Sequence, residues 1–220
     1  MTDTTIYIND FPIHEPVTVL TDYIITLLCL LFFFRLKNEN KVVSQKYWKA
    51  FFLFFGISTF VGGFSHALFA IHEGVGYKSF WITMQVLNGF AVYSAQQATY
   101  NTVLQNNEKR EVWKKSYIIQ LVLFLIAVFV FQNFLVVVLD NAIGLIPVMV
   151  LHFMDSKNPR VSKLIANGIL ISFLTAFVHG AKLSLGAYFN FNDISHVLIM
   201  LSLFVVFLGV SKNSDLKSNS

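Results

Sequence analysis

The residues best suited to chemistry stand at the start of the last apolar stretch of the chain. Asn192, Asp193 and His196 open this stretch, in the segment Phe-Asn-Phe-Asn-Asp-Ile-Ser-His-Val. Asp193 and His196 are three residues apart, so on a helix they share one face. Ionisable groups at membrane depth are energetically expensive and usually mark a binding site or an ion pathway. This carboxylate and imidazole therefore predict a functional site.

The elements that must position these side chains are membrane-spanning helices. The 220 residues are 55% hydrophobic and only 13% charged. A soluble domain with so few charges would not cover its surface, whereas repeated apolar runs of about 20 residues are typical of transmembrane helices. The composition predicts an all-α, polytopic membrane protein.

Charge and cysteine content exclude several classes of site. The net charge is +4, but the basic residues cluster in short loops between apolar runs, which is the orientation signal of a membrane protein and not a nucleic-acid interface. Cys29 is the only cysteine, so no disulfide within the chain and no thiolate metal cluster can form. Any metal must use His, Asp, Glu or Asn. Residues 1–16 lack a basic region before an apolar core and do not resemble a cleavable signal peptide.

Seven spans are predicted, with bounds uncertain by about three residues. They cover residues 17–36, 48–70, 79–103, 116–131, 134–154, 162–188 and 193–210. The division between spans four and five is the most open, because residues 117–154 are almost continuously apolar. The turn fits Gln132-Asn133 or Asp140-Asn141. The first is favoured, because the second leaves a fifth span too short to cross about 30 Å of hydrocarbon.

Loop charge predicts the orientation of the bundle. The basic segments 35–49, 109–115, 157–163 and 212–217 all fall on one side if there are seven spans, while the other side has little positive charge beyond Lys78 and Lys182. Positive loops face the cytoplasm, so the N-terminus is expected outside and the C-terminus inside. The domain prediction is a polar extracytoplasmic leader (1–16), a seven-span membrane domain (17–211) and a polar cytoplasmic tail (212–220).

The polar residues inside the spans fall in a single layer of the outer leaflet, at about 1.5 Å per residue. This layer contains Asp22, His66, Gln85, Asn88, Asp140, Asn141, His179, Asn192, Asp193 and His196. Any one of them can be explained as polar glue between helices. Their common depth, on six of the seven helices, instead predicts a pocket that opens to the outside.

Zinc chemistry is one use for such a pocket. His66, His179 and His196 are candidate nitrogen ligands, with Asp193 as a fourth ligand or as the partner that orients His196. Zinc-bound water is acidic enough to attack an amide or ester, and Asp140 or Asp22 is the candidate general base. A groove between helices at headgroup depth suits a lipid-like substrate.

The span pattern resembles the superfamily of alkaline ceramidases, progestin/adiponectin-type receptors and Per1-like proteins. That resemblance implies a seven-span, zinc-dependent hydrolase with a Ser four residues before a His on span two, an Asp on span three and His-x-x-x-His on span seven. His66 and His196 match the pattern. Gly62 replaces the Ser, with Ser58 and Ser65 as possible substitutes, and Asn192 stands where the first His of span seven is expected. Span three offers Gln85 and Asn88 in place of Asp.

The leading hypothesis is a bacterial-type inner-membrane hydrolase of a lipid amide or ester. The rival is a receptor or small transporter that uses the same polar cluster for a ligand or a proton. The sequence shows no inverted repeat, which weakens the transporter version. A structural membrane subunit is the third alternative, and it predicts polar residues paired in contacts with no cavity between them.

Overall fold

A computed structural model describes residues 4–36, 43–68, 74–104 and 107–218. These residues form seven α-helices after a short β-hairpin. The hairpin pairs β1 (Thr5–Ile8) with β2 (Phe11–His14). The helices are α1 (Pro16–Arg35), α2 (Val43–Ala67), α3 (Val75–Val103), α4 (Asn107–Phe131), α5 (Phe134–Met154), α6 (Pro159–Ala181) and α7 (Phe191–Ser218).

Six of these helices, all except α3, are long and apolar enough to cross a membrane. The length and composition of these helices are those of membrane spans, so the chain is a helical membrane protein. Within α3, the buried polar residues explain its lower hydropathy. They are Gln85, Asn88, Ser94, Gln96, Gln97 and Thr99. These side chains point into the protein because α3 packs against α2, α4 and α5.

The turn between α4 and α5 lies where the sequence favoured it. Gln132 has a left-handed conformation (φ 49°), and Asn133 caps α5 by accepting a hydrogen bond from the backbone N–H of Leu135 at 2.9 Å. The alternative turn at Asp140-Asn141 is wrong, because α5 continues through both residues. An Asn side chain at the first position before a helix satisfies a free backbone N–H, which a buried mid-helix pair would not do.

Several helix ends differ from the predicted spans by more than three residues. α2 begins at Val43 instead of residue 48, and α4 begins at Asn107 instead of residue 116. The sixth span was expected to reach residue 188, but α6 ends at Ala181, where Lys182 has a left-handed backbone (φ 47°) that stops the helix. Its N–H bonds to the carbonyls of Val178 and His179. The seventh helix continues to Ser218, into the predicted polar tail, because neither Gly nor Pro follows Gly209 to stop it. Residues 37–42 of the first basic segment and residues 69–73 lie outside the described residues.

The predicted polar leader contains a hairpin that the hydropathy pattern did not indicate. Asn9 and Asp10 both have positive φ (48° and 64°), as the two central residues of a type I′ turn require. The hairpin packs against α2, and its second strand leads directly into Glu15 and α1. It therefore brings Glu15 to the end of the bundle where α1 begins.

The helices pack in two groups, which we call seams, and both groups contribute to one hydrophobic core. α1 packs between α2 and α7, whereas α5 packs against α3, α4 and α6. Both seams contribute to the main core cluster, for example through Ile25 of α1, Phe52 of α2, Ala95 of α3, Val148 of α5 and Val206 of α7. This division decides which polar side chains can meet.

Candidate functional site

One group of ionisable side chains lies where α1 begins, α2 ends and α7 begins. It contains Glu15, Asp22, His66, Asp193 and His196, and we call it the α1–α2–α7 cluster. Asp22, Asp193 and His196 are spread over the first helical turns of α1 and α7, so all lie near the same end of the bundle. Of the residues in the predicted polar layer, Asp22, His66, Asp193 and His196 meet here, and they belong to three helices.

Glu15 connects all of the elements around this cluster. One carboxylate oxygen accepts a hydrogen bond from His66 Nδ1 at 2.6 Å, and the other accepts from the side-chain amides of Asn190 (3.5 Å) and Asn192 (3.4 Å). These donors, His66 first, lower the pKa of Glu15 against the opposing effect of burial. Glu15 holds this position with a left-handed backbone (φ 42°, ψ 54°), which is unusual for a residue with a side chain.

His196 is held in a defined orientation by α1. Its Nδ1 is 2.7 Å from Thr21 Oγ1, and the Thr21 hydroxyl donates its only proton to the carbonyl of Thr18 at 3.0 Å. With that proton on the Thr18 carbonyl, Nδ1 carries its own proton and donates to Thr21. That leaves Nε2 facing Asp22, 3.5 Å from Oδ1.

Asp22 is the least satisfied member of the cluster. It is 4% exposed, and its Oδ2 has no hydrogen-bond donor among the residues that the structure describes. A buried carboxylate oxygen without a partner is rare and calls for a ligand or a functional explanation. A Cβ built on Gly62 would lie 3.5 Å from this oxygen. The position where the resembled superfamily has Ser thus lies directly beside Asp22.

The two histidines of the resemblance do come together. The ring centroids of His66 and His196 are 6.5 Å apart, nearly perpendicular. Their Nδ1 atoms are occupied by Glu15 and Thr21, respectively. Metal-ligating histidines commonly use one nitrogen for the metal and the other for such an orienting hydrogen bond. Across the described ranges, however, no three His, Cys, Asp or Glu side chains already form a metal-holding group.

Asp193, which the sequence proposed as a ligand, is already occupied. Its Oδ1 accepts from the Thr18 hydroxyl at 2.9 Å, and its Oδ2 accepts from the backbone N–H of Asn190 at 2.7 Å. It is completely buried and caps the start of α7. This arrangement gives Asp193 a structural role in joining α1 to α7.

His179, the other proposed ligand, belongs to α6 and contacts the face of α7 that packs against α6. Its Nδ1 is 3.0 Å from Ser195 Oγ, and its ring packs edge-on against Phe191. Ser195 and His196 are adjacent in sequence and so point about 100° apart around the helix. Its described contacts are thus with a different face of α7 from the face that carries His196.

A second polar group lies between α3, α4 and α5. It contains Asn88, Gln96, Gln120, Asp140 and Asn141, and we call it the α3–α4–α5 seam. Asn88 donates to Asn141 Oδ1 (2.9 Å), and Gln120 donates to Asp140 Oδ1 (2.9 Å). The single pocket predicted from depth is therefore divided: Asp140, Asn88 and Asn141 are in this seam, and their described contacts do not include the histidines.

Gln85 belongs to neither network by its described contacts. It is completely buried in α3, and neither its amide oxygen nor its amide nitrogen has a partner among the described residues. Its predicted place in the pocket stays a prediction.

His152 forms a third network that the sequence did not suggest. It is 1% exposed, with Nε2 3.1 Å from Thr99 Oγ1 and Nδ1 3.3 Å from Ser162 Oγ. Ser162 also donates to Asp155 Oδ2. One feature of the sequence could have indicated that His152 is buried. It lies on one face of α5 with three other buried residues at a spacing of four, Asp140, Gly144 and Val148.

Comparison with known proteins adds a family but not an activity. Residues 17–215 match the family described as "Family of unknown function (DUF6962)". No curated protein and no solved structure matches the chain.

Proposed function

We propose that this chain, which belongs to the DUF6962 family of unknown function, is a membrane hydrolase that holds zinc in its α1–α2–α7 cluster and cleaves an amide or ester bond of a lipid. The gap between His196 Nε2 and Asp22 Oδ1 is the observation that carries the proposal. Two atoms with lone pairs face each other there at 3.5 Å, beside a second carboxylate oxygen that lacks a donor. Burial makes such a pair unfavourable unless a metal ion or a proton lies between its members.

The donor set suits zinc in this gap. Zinc bonds to imidazole nitrogen and carboxylate oxygen are about 2.0–2.2 Å long, so a separation of 3.5 Å accommodates both ligands of one ion. His66 would be the third donor through its Nε2, because its Nδ1 is taken by Glu15. Three protein ligands leave one position open, as catalytic zinc sites require.

The residues of the chain have separate roles in this proposal. His66, His196 and Asp22 hold the ion, while Glu15 and Thr21 orient the two imidazoles through their Nδ1 atoms. The bound zinc would supply a Lewis acid that polarises the scissile carbonyl and acidifies water. Asp22 thus moves from the general base suggested by sequence to a ligand, and Asp193 and His179 leave the ligand set.

The membrane setting supports a lipid substrate. The cluster lies at the beginning of α1, the end of α2 and the beginning of α7, and these helix ends would reach the lipid headgroups in a bilayer. We further propose that α3 also crosses the membrane, which brings the number of spans to seven. Its polar side chains do not prevent this, because they are buried against neighbouring helices. With seven spans the basic loops share one side, which places the N-terminus outside a bacterial-type inner membrane and the C-terminus in the cytoplasm.

A receptor or small transporter is the second candidate. It is favoured by one observation: the described side chains do not already form a three-ligand group. In that case a proton between His196 and Asp22 takes the place of the metal, and the cluster binds a polar ligand without cleaving it.

The deciding experiment is metal analysis of detergent-purified protein by mass spectrometry. We expect near-stoichiometric zinc in the wild type and loss of the zinc in His66→Ala, His196→Ala and Asp22→Asn. His179→Ala is the matched control, because it removes a histidine at the same end of the bundle that contacts Ser195 instead. This variant is expected to keep its zinc and to release lipid product like the wild type.

Two results would change this assignment. Zinc lost in His179→Ala but kept in Asp22→Asn would restore the ligand set suggested by sequence. If the folded wild type binds no metal after reconstitution with zinc, the hydrolase proposal is rejected. The receptor or transporter is then the remaining candidate.

A further inference from the structure

Asp140 is a carboxyl group inside a membrane helix and far from the proposed zinc site. It lies six residues into α5, about 9 Å from the start of that helix. Its side chain is 6% exposed. α5 packs against α3, α4 and α6, and Asp22 belongs to α1, which packs between α2 and α7. The two carboxyl groups are therefore in separate seams.

Among the described residues, the one hydrogen-bond donor to this carboxyl is uncharged. Gln120 Nε2 of α4 donates to Asp140 Oδ1 at 2.9 Å and to the Asp140 backbone carbonyl at 3.2 Å. Behind it, Gln96 Nε2 of α3 donates to Gln120 Oε1 at 2.8 Å. Both acceptors of Gln120 Nε2 are oxygens, and this fixes which end of the Gln120 amide faces Asp140.

No positive side chain in the described part of the chain balances Asp140. Among the described residues of α3, α4 and α6, no Asp, Glu, His, Lys or Arg forms a hydrogen bond or ion pair with it. The facing groups are amides: Gln120, Gln96 behind it, and the neighbouring pair Asn88 and Asn141. An ionised carboxylate at membrane depth with one neutral donor is strongly disfavoured, so the group requires a bound positive charge.

The orientation of the amides decides which positive charge fits. A sodium ion needs several oxygen ligands, but Gln120 turns its NH₂ group towards the carboxyl and its oxygen away. A proton needs only one carboxylate oxygen, and Oδ1 can continue to accept from Gln120 while Oδ2 carries the proton. The seam therefore suits a proton and not a metal ion.

Close packing protects this arrangement. Gly144 lies one turn after Asp140, and a Cβ there would lie 2.8 Å from Gln120 Nε2 and 3.0 Å from Gln96 Nε2. The two glutamine amides thus pack directly on the α5 backbone. The contact leaves no room for an added atom between these amides and Gly144, so the amide pair forms the polar surroundings of Asp140 on this side.

We propose that the α3–α4–α5 seam is a proton-binding site in which the Asp140 carboxyl takes up and releases one proton, independently of the α1–α2–α7 cluster. This function goes beyond lipid hydrolysis and gives the protein a second, proton-linked site. Because it uses no zinc ligand, it stands whether or not the cluster binds a metal.

Carbodiimide labelling tests the proposal. Dicyclohexylcarbodiimide is apolar and reaches protonated carboxyl groups in a membrane. The carboxyl O–H adds across one C=N bond of the carbodiimide to give an O-acylisourea, which rearranges to a stable N-acylurea. We expect the adduct on the peptide that contains Asp140, with labelling that falls as pH rises from about 5 to about 9. Asp140→Asn should remove this adduct, and Asp22→Asn, the matched control in the other seam, should leave it unchanged.

A second variant separates a proton site from a merely reactive carboxyl. Gln120→Leu removes the donor that stabilises the ionised form, at a similar side-chain volume, so labelling should persist to a pH about one unit higher. Labelling of Asp140 that does not change with pH would overturn the proposal. So would protection by sodium at constant pH, which would assign the site to a metal cation, or no adduct on an observed Asp140 peptide at any pH.

Discussion

At the scale of single residues, Glu15 holds the α1–α2–α7 cluster together. It joins the hairpin to α2 through His66 and to the start of α7 through Asn190 and Asn192. The strained backbone of Glu15 is retained because these contacts determine it.

The first prediction concerns pH and Glu15. Its ordinary pKa of 4.5 is lowered in the folded protein, chiefly by His66, so the stabilisation is fully present above pH 4.5 and is lost as pH falls through the lower, folded value. Glu15→Gln should lower the unfolding free energy by about 1–2 kcal/mol at neutral pH, or about 2–8 °C in Tm. The unfolding free energy of the Glu15→Gln variant should also depend less on pH in the acid range than that of the wild type.

Thermal unfolding in detergent at neutral pH and below pH 4.5 measures this difference. Asp10→Asn is a suitable control, because Asp10 is an exposed residue in the hairpin turn. Equal acid sensitivity in the wild type and in Glu15→Gln would show that Glu15 does not hold the cluster.

The sequence predicted the depth of the polar residues but not the directions in which they point. Depth follows from counting residues along a span, and this brought His66 and His196 to one level correctly. Direction depends on which helices are neighbours, and hydropathy contains no information on that order. For this reason Asp140 was grouped with histidines that belong to another seam, and Gln120 was not recognised as its partner.

At the scale of helices, α6 and α7 approach closely over two glycines. A Cβ at Gly168 would lie 2.6 Å from Val206 Cγ2 and 2.9 Å from the Ser202 carbonyl oxygen. At Gly209 it would lie 3.1 Å from the Val161 carbonyl oxygen. Backbone atoms cannot move aside as a side chain can, so these positions require glycine.

The second prediction follows from this contact. Gly168→Ala should destabilise the protein by about 1–3 kcal/mol, because α7 must move away from α6. Gly180→Ala is the control on the same helix, since nothing lies within 4 Å of the added Cβ. It should leave the protein as stable or raise the unfolding free energy by up to about 1 kcal/mol. A similar Tm for the two variants would contradict the close packing.

Element ends were less predictable than the elements themselves. The α4–α5 turn followed from length alone, because a span that begins at Asp140 is too short. The end of α6 did not, because Leu183, Leu185 and Tyr188 are apolar enough to continue a span, and the left-handed Lys182 stops the helix instead. The hairpin depends on two positive φ angles that Asn and Asp tolerate but do not impose.

At the scale of the whole molecule, the side of the membrane on which each loop lies tests the seven-span proposal. Cys29 is buried, so single cysteines can be placed in a Cys29→Ser background. With seven spans and the N-terminus outside, an impermeant maleimide added to intact cells should label Asn9→Cys and Ser184→Cys. It should not label Glu111→Cys or Ser156→Cys, and all four positions are exposed.

The alternative gives a different pattern. If α3 does not cross the membrane, every later loop changes sides. Asn9→Cys and Ser184→Cys would then be labelled from opposite sides. Glu111→Cys and Ser156→Cys would be labelled from the same side as Asn9→Cys.

The long sequence separation of the α1–α7 contacts has a consequence for biogenesis. Thr18 bonds to Asp193, and Thr21 to His196, each across 175 positions. During synthesis α1 enters the bilayer first, and Thr18 and Thr21 meet Asp193 and His196 only after α7 has emerged from the ribosome. The α1–α2–α7 cluster therefore cannot assemble until the last helix has been made, so the candidate site is the last part of the bundle to form.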